Sequence, residues 1–77
     1  MSTQFANVIV HVSETLGADE RVGLERAVAA QPGVGRAAVS PKAERLVLID
    51  YDPFVTSAQR ILETVRGRGV TAQLVGM

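Results

Sequence analysis

The most informative part of this sequence runs from Pro32 to Pro53 and reads PGVGRAAVSPKAERLVLIDYDP. Strand-forming residues are dense on both sides of a short polar turn at 41–45, so this stretch predicts a β-hairpin. The second limb is apolar at nearly every position from Leu46 to Tyr51, which is typical of a central strand with both faces at least partly covered. Pro53 ends that strand because proline has no N–H to donate to a sheet.

The segment before the hairpin shows a strand pattern followed by a helix pattern. Residues 5–13 alternate, with three valines on one face and Ile9 and His11 on the other. After a loop, residues 19–30 have helical spacing, and Asp19 is the candidate N-cap because its side chain accepts hydrogen bonds from free N–H groups. The inward stripe of this helix is Leu24, Ala27, Val28 and Gln31, and its outer face is Arg21, Glu25 and Arg26.

The segment after the hairpin repeats the order of helix and strand. Thr56, with Gln59 three places later, resembles a capping box and predicts the start of a second helix. Gly67 and Gly69 end that helix, and alternation over 70–75 predicts a last strand. The apolar stripe of the helix is Ala58, Ile61, Leu62 and Val65, and the inward strand residues are Val70, Ala72 and Leu74.

The predicted order is therefore strand, helix, strand, strand, helix, strand. Two interlocked βαβ units with right-handed crossovers give an α+β, ferredoxin-like βαββαβ sandwich. Its four-stranded antiparallel sheet carries both helices on one face and leaves the other face open. Alternation places four residues on the open face: Ile9, His11, Leu48 and Gln73. We treat all 77 residues as a single domain with an ordered core of about residues 5–75.

Composition excludes several classes of function. The chain has no cysteine, which rules out disulfides, thiolate nucleophiles and thiolate metal sites. Eight basic residues balance eight acidic ones, so charge favours neither nucleic acid nor an anionic membrane as a partner. No apolar run reaches the roughly 20 residues of a membrane span, and the start of the chain lacks the pattern of a secretory signal. We therefore expect a cytoplasmic protein that neither binds nucleic acid nor inserts into a membrane.

Short motifs follow one another in order along most of the chain, from Val8 to Val75. They are Pro32-Gly33-Val34, Ala37, Val39, Val47, Tyr51-Asp52-Pro53, Ile61, Gly69, Ala72 and Leu74. In order and spacing they resemble the heavy-metal-associated domain, which is found in copper chaperones and in the cytosolic tails of metal-transporting P-type ATPases. The resemblance implies the βαββαβ fold and a protein-docking surface.

The resemblance also implies a metal site, at a Met-x-Cys-x-x-Cys loop between the first strand and the first helix. Two thiolates spaced in this way suit a soft ion such as Cu(I). Counting back from Pro32 places Thr15 at the methionine position and Gly17 and Glu20 at the two cysteine positions. Neither of these two residues offers a thiolate, so the metal-binding motif of the family is missing here.

Oxygen and imidazole groups near the first loop are the remaining candidates for metal ligands. Glu14, Asp19 and Glu20 offer carboxylates and His11 an imidazole, a set that suits a harder divalent ion such as Mg²⁺, Ca²⁺ or Mn²⁺. Their spacing matches no metal-binding loop, and Asp19 and Glu20 are also explained by the negative charge that a helix N-terminus favours. We therefore predict no cofactor, with a bound metal ion as the alternative.

Four residues are candidates for contact with a partner. Ile9, His11 and Leu48 share the predicted open face, where adjacent apolar side chains favour self-association or a docking protein. Arg68, beyond the second helix, should lie near the carboxylates of the first loop, where it pairs with them or receives an acidic partner. Each residue also has a plain structural explanation, as a solvated strand residue or as a basic residue at a helix C-terminus.

Three functions remain open at this point. The first is a non-enzymatic module with a degenerate metal site, which docks to a protein in a metal-trafficking context. The second is a domain that binds a harder divalent metal through the carboxylates of the first loop, with or without His11. The third is a dimeric small-molecule regulatory domain, since ferredoxin-like folds also serve as ligand sensors. Enzymatic activity is not expected, because the sequence assembles no nucleophile, base and stabilising donors.

Overall fold

The structure, a computed structural model, describes residues 5–43 and 45–75, so residues 1–4, residues 76–77 and Glu44 of the predicted turn lie outside it. Its elements are β1 (Ala6–Val12), α1 (Ala18–Ala29), β2 (Val34–Val39), β3 (Leu46–Tyr51), α2 (Ala58–Arg66) and β4 (Ala72–Val75). The strands form one antiparallel sheet in the order β2-β3-β1-β4. The predicted βαββαβ, ferredoxin-like α+β architecture is confirmed. Neither α1 nor α2 has the length and apolar character that a membrane-spanning helix needs.

One hydrophobic core lies between the sheet and the helices. Val8, Val10 and Val12 of β1 are all buried, as the alternation of the sequence predicts. β3 adds Val47, Ile49 and Tyr51, and the helices add Leu24, Val28, Ile61, Leu62 and Val65. Because these residues form a single cluster, both helices cover the same face of the sheet. Burial of this apolar surface is the main favourable term in folding.

The face of the sheet opposite the helices is open. Leu48 is 44% exposed, whereas its neighbours Val47 and Ile49 are each 1% exposed. This agrees with the prediction of a central strand with both faces at least partly covered, and it shows that the outer face is the more exposed of the two. Right-handed crossovers place both helices on one side of the sheet, so a continuous apolar run in β3 does not bury both of its faces.

Both helices begin differently from the prediction. Gly17 is the N-cap of α1, with an extended backbone at φ −70° and ψ 168°, so Asp19 lies inside the first turn and does not cap. Ser57 caps α2, and its hydroxyl accepts a 3.2 Å hydrogen bond from the N–H of Arg60. The capping box predicted at Thr56 is wrong, because Thr56 is buried and its hydroxyl accepts a hydrogen bond from a glutamine just beyond α1.

The connections after the two helices follow the prediction. Gly33 and Gly69 have positive φ angles of 93° and 87°, which glycine adopts without the steric cost of a side chain. β4 begins two residues later than predicted, at Ala72.

Glu25 was predicted to face outward, but it is half-buried and accepts a 2.7 Å hydrogen bond from the N–H of Val39. This side of α1 packs along the edge strand β2 and is therefore not open to solvent.

Candidate functional site

The start of α1 is the place where the resemblance implies a metal site. Gly17 is the N-cap and Glu20 is the third residue of the helix. The carboxylate of Glu20 turns back and accepts a 3.1 Å hydrogen bond from the N–H of Gly17. This is the glutamate half of a capping box, and the other half is missing because glycine has no side-chain oxygen. The carboxylate also suits the positive end of the helix dipole.

The carboxylate of Glu14 is engaged in a different contact. Both of its oxygens accept hydrogen bonds from the N–H of Thr71, at 2.9 and 3.1 Å. The N–H of Thr71 favours the ionised form and so lowers the pKa of the Glu14 carboxyl below its ordinary value. Glu14 thus ties the first loop to the residue that precedes β4.

The proposed oxygen and imidazole ligands do not converge on one point. Asp19 is exposed in the first turn of α1, and His11 lies on β1 with the residues of the open face. Within residues 5–43 and 45–75, no group of three or more His, Asp or Glu side chains could hold a metal ion. The geometry therefore gives no support to the harder-metal hypothesis, which stays a prediction.

Three of the four predicted partner-contact residues lie together. Ile9 and Leu48 are directly opposite each other on β1 and β3, and His11 follows two positions along the same face. Beside them, the side-chain amide of Asn7 donates a 2.7 Å hydrogen bond to the carboxylate of Asp50. The open face therefore has an apolar pair at its centre and an ordered polar contact at one end.

Arg68 lies apart from this group, on the helix side of the molecule. Its guanidinium packs over α1 so closely that a Cβ built on Gly23 would be 2.7 Å from Nη2. It lines a small cavity together with Glu20 and Leu24. Among the residues that the structure describes, no ion pair joins Arg68 to Glu14 or Glu20. Arg68 is thus close to the start of α1 without being paired there.

Sequence reasoning missed a cavity at the end of the open face that adjoins the first loop. Its lining residues are His11, Thr15, Pro41, Lys42, Ala43, Arg45 and Leu46. The guanidinium of Arg45 donates a 3.2 Å hydrogen bond to the hydroxyl of Thr15, and the carbonyl of Arg45 accepts one of 2.8 Å from Val12. These contacts depend on a register in which His11 is opposite Leu46. Alternation predicts the face of a residue but not this register.

The backbone closely matches those of known metal-binding domains. It matches a copper binding domain from HMA7, a P-type ATPase, with a TM-score of 0.82 and 21% identity over 91% of this chain and 93% of that chain. For the CopZ metallochaperone the TM-score is 0.77, with 18% identity over 91% of this chain and 100% of that chain. This chain has a heavy-metal-associated, copper-chaperone-like fold. The N-terminal soluble domains of CopA from Bacillus subtilis give a TM-score of 0.81 and 26% identity over 91% of this chain and 47% of that chain.

This heavy-metal-associated-like domain lacks the metal ligands of the family. It has no cysteine, so the Cys-x-x-Cys motif is absent. Gly17 offers no side chain, and the Glu20 carboxylate is bonded to the backbone, so these residues do not fit a soft ion that prefers thiolates. No protein-family model matches the sequence, and a search of curated proteins also finds no match. The similarity therefore concerns the backbone and not the chemistry of the first loop.

Proposed function

We propose that this chain is a non-enzymatic docking module, which keeps the heavy-metal-associated scaffold without its soft-metal site and acts by binding another protein. The observation that carries the proposal is the hydrogen bond between Glu20 and Gly17. The two positions that would hold an ion are bonded to each other, so the start of α1 needs no metal to be satisfied. Without a metal site, such a scaffold can still act by binding another protein through its surface.

The metal-trafficking context of this proposal comes from the proteins that share the fold. Two of the similar structures are a copper binding domain from a P-type ATPase and a metallochaperone. Heavy-metal-associated domains are typically non-catalytic, which supports a binding role. We propose the cytoplasm as the compartment, since the cytosolic tails of metal transporters carry domains of this kind.

The docking surface that we assign is centred on Ile9 and Leu48. These two side chains lie side by side on the central strands, and Leu48 is 44% exposed. Asn7, Arg36 and Asp50 line the same shallow groove and provide polar groups around the apolar pair. An apolar centre within a polar rim is the usual composition of a protein–protein interface.

A binding comparison between two matched variants tests this surface. Leu48→Lys places a charge in the open face, whereas Val55→Lys places the same charge on a 52% exposed residue of the loop between β3 and α2. The partner is either a protein that the wild type captures or a second copy of the chain, detected by sedimentation velocity. We expect this partner to bind Val55→Lys as tightly as it binds the wild type. The Kd for Leu48→Lys should rise by about tenfold or more, because residues at the centre of an interface carry most of the binding energy.

Two results would count against the docking proposal. Equal binding by both variants would show that the open face is not the contact surface. A wild-type chain that stays monomeric and captures no protein would contradict docking altogether. The monomeric result would also count against the dimeric regulatory domain, since ligands of such domains usually bind between two copies.

A further inference from the structure

An apolar row crosses all four strands of the open face. The strand register places its members directly opposite one another, in the order Ala38, Leu48, Ile9 and Val75. Residues that are opposite each other on antiparallel strands project from the same face of the sheet. Leu48 is the exposed member of this central row, and the other three are half-buried. Because neighbouring strands lie about 4.8 Å apart, the central row extends about 14 Å across the sheet.

Two opposite charges lie next to the central row. Arg36 on β2 is directly opposite Asp50 on β3, and Asp50 is opposite Asn7 on β1. The carboxylate of Asp50 accepts the 2.7 Å hydrogen bond from Asn7 and has the capacity to accept more. The side chain of Arg36 is exposed and makes no hydrogen bond or ion pair with any residue in 5–43 and 45–75. This row therefore presents a cation and a carboxylate side by side, and both can bind a partner.

The charges beside the central row belong to residues that the structure describes. Among the described residues that line the groove around Leu48, Arg36 and Asp50 are the charged ones. Glu44 precedes Leu46 by two residues in the chain, and Leu46 lies about 13 Å from Asp50 along β3. Residues 1–4 and 76–77 contain no Asp, Glu, Lys or Arg.

We propose that the open face binds a second copy of this chain, around a two-fold axis that runs along the strands between β2 and β3. The inference rests on the docking function and names its partner. This axis places Arg36 of each copy opposite Asp50 of the other, so that two ion pairs form at one interface. In the central row it places Leu48 of each copy opposite the small side chain of Ala38 of the other.

The match of this surface with itself is the reason for choosing a second copy. A two-fold interface uses the same patch on both subunits, so each charge must find its opposite on that patch. Arg36 and Asp50 meet this condition for charge, and Ala38 and Leu48 meet it for size. The chain also has a formal net charge of zero, so two copies approach without net repulsion.

Sedimentation velocity with paired charge reversals tests this arrangement in the full chain. Arg36→Glu and Asp50→Arg each bring like charges together twice across the axis, so the Kd for self-association of either variant should rise by about tenfold or more. An equal mixture of the two variants restores both pairs of opposite charges, and its Kd should return to within about threefold of the wild-type value. Arg36 is exposed, so Arg36→Glu keeps the fold and decides the question alone if Asp50→Arg does not fold.

The matched controls reverse charges on α2, which packs against the other face of the sheet. Arg60→Glu and Glu63→Arg change the net charge by the same amounts as the two face variants. They therefore control for long-range attraction between oppositely charged copies. Each should self-associate as the wild type does, and their mixture should bind no more tightly.

The outcomes separate this inference from the docking function. A wild type that stays monomeric up to about 1 mM overturns the second copy as the partner. If that monomer captures another protein and Leu48→Lys abolishes the capture, the docking function stands without this inference. A wild-type dimer whose Kd is unchanged by Arg36→Glu, or a mixture that does not recover, overturns the two-fold arrangement.

Discussion

The carboxylate of Glu20 and the backbone N–H of Gly17 are joined by a 3.1 Å hydrogen bond at the first turn of α1. In a thiolate site, both positions would supply sulfur to one ion at the positive end of a helix. In this chain one position supplies an acceptor and the other a donor. The start of the helix is therefore satisfied without metal, and we expect the chain to fold fully in the presence of a chelator.

Glu14 should make stability depend on pH in the acid range. The N–H of Thr71 holds the pKa of the Glu14 carboxyl below its ordinary value of 4.5, so the folded state favours the ionised form. The contribution is fully present above the pKa of the unfolded chain and is lost as pH falls through the lowered folded pKa. Urea unfolding measures the free energy of unfolding near neutral pH and at about pH 3. This free energy should fall less on acidification in Glu14→Gln than in the wild type.

The control for this prediction is Glu63→Gln, which changes an exposed glutamate of α2. The free energy of unfolding of this variant should fall on acidification by the same amount as that of the wild type. If Glu14→Gln also loses as much stability as the wild type on acidification, the contact with Thr71 does not stabilise the folded state in solution.

Glu25 should hold α1 against the edge of the sheet. Its carboxylate accepts a 2.7 Å hydrogen bond from the half-buried N–H of Val39. Glu25→Ala leaves that N–H without a partner, which should lower the free energy of unfolding by about 1–3 kcal/mol. The exposed Glu63→Ala should change it by about 0.5 kcal/mol or less. Chemical denaturation compares the two variants, and equal losses would show that the hydrogen bond between Glu25 and Val39 does not stabilise the fold.

Leu48 and Ile49 are neighbours in sequence but face opposite sides of the sheet, with exposed fractions of 44% and 1%. Ile49→Ala opens a cavity in the core and should lower the free energy of unfolding by about 2–5 kcal/mol. Leu48→Ala removes a half-exposed side chain and should cost less than about 1 kcal/mol. Equilibrium denaturation measures both changes, and the reverse order would show that the helices cover the other face.

The fold could be predicted because each element carries its own local pattern. Val8, Val10 and Val12 alternate along β1, and Ile61 and Val65 share one face of α2, so strand and helix were distinguishable from spacing. The order of these patterns, with right-handed crossovers, leaves few topologies to consider. The degree of burial on the outer face of β3 could not be predicted, because apolar residues on an open face look the same in sequence as buried ones.

Caps and long-range contacts depended on tertiary packing that local patterns do not contain. Thr56 and Ser57 are both suitable N-caps, and the choice is made by a hydrogen bond between Thr56 and Gln31 across the fold. The positions of Gly17 and Glu20 came from counting along a motif. The hydrogen bond between Arg45 and Thr15 could not be predicted by counting along the sequence, because it depends on the register between β1 and β3.

Competition for Cu(I) against a chelator of known affinity compares the wild type with the double variant Gly17→Cys, Glu20→Cys. A cysteine fits at Gly17, where an added Cβ would lie 3.4 Å from Oε1 of Glu20. We predict that the variant binds Cu(I) with a Kd below about 1 μM through its two thiolates, and that the wild type binds more weakly than this. Wild-type binding tighter than about 1 μM, with shifts at the amides of the first loop, would contradict the proposal that this domain acts without a soft-metal site.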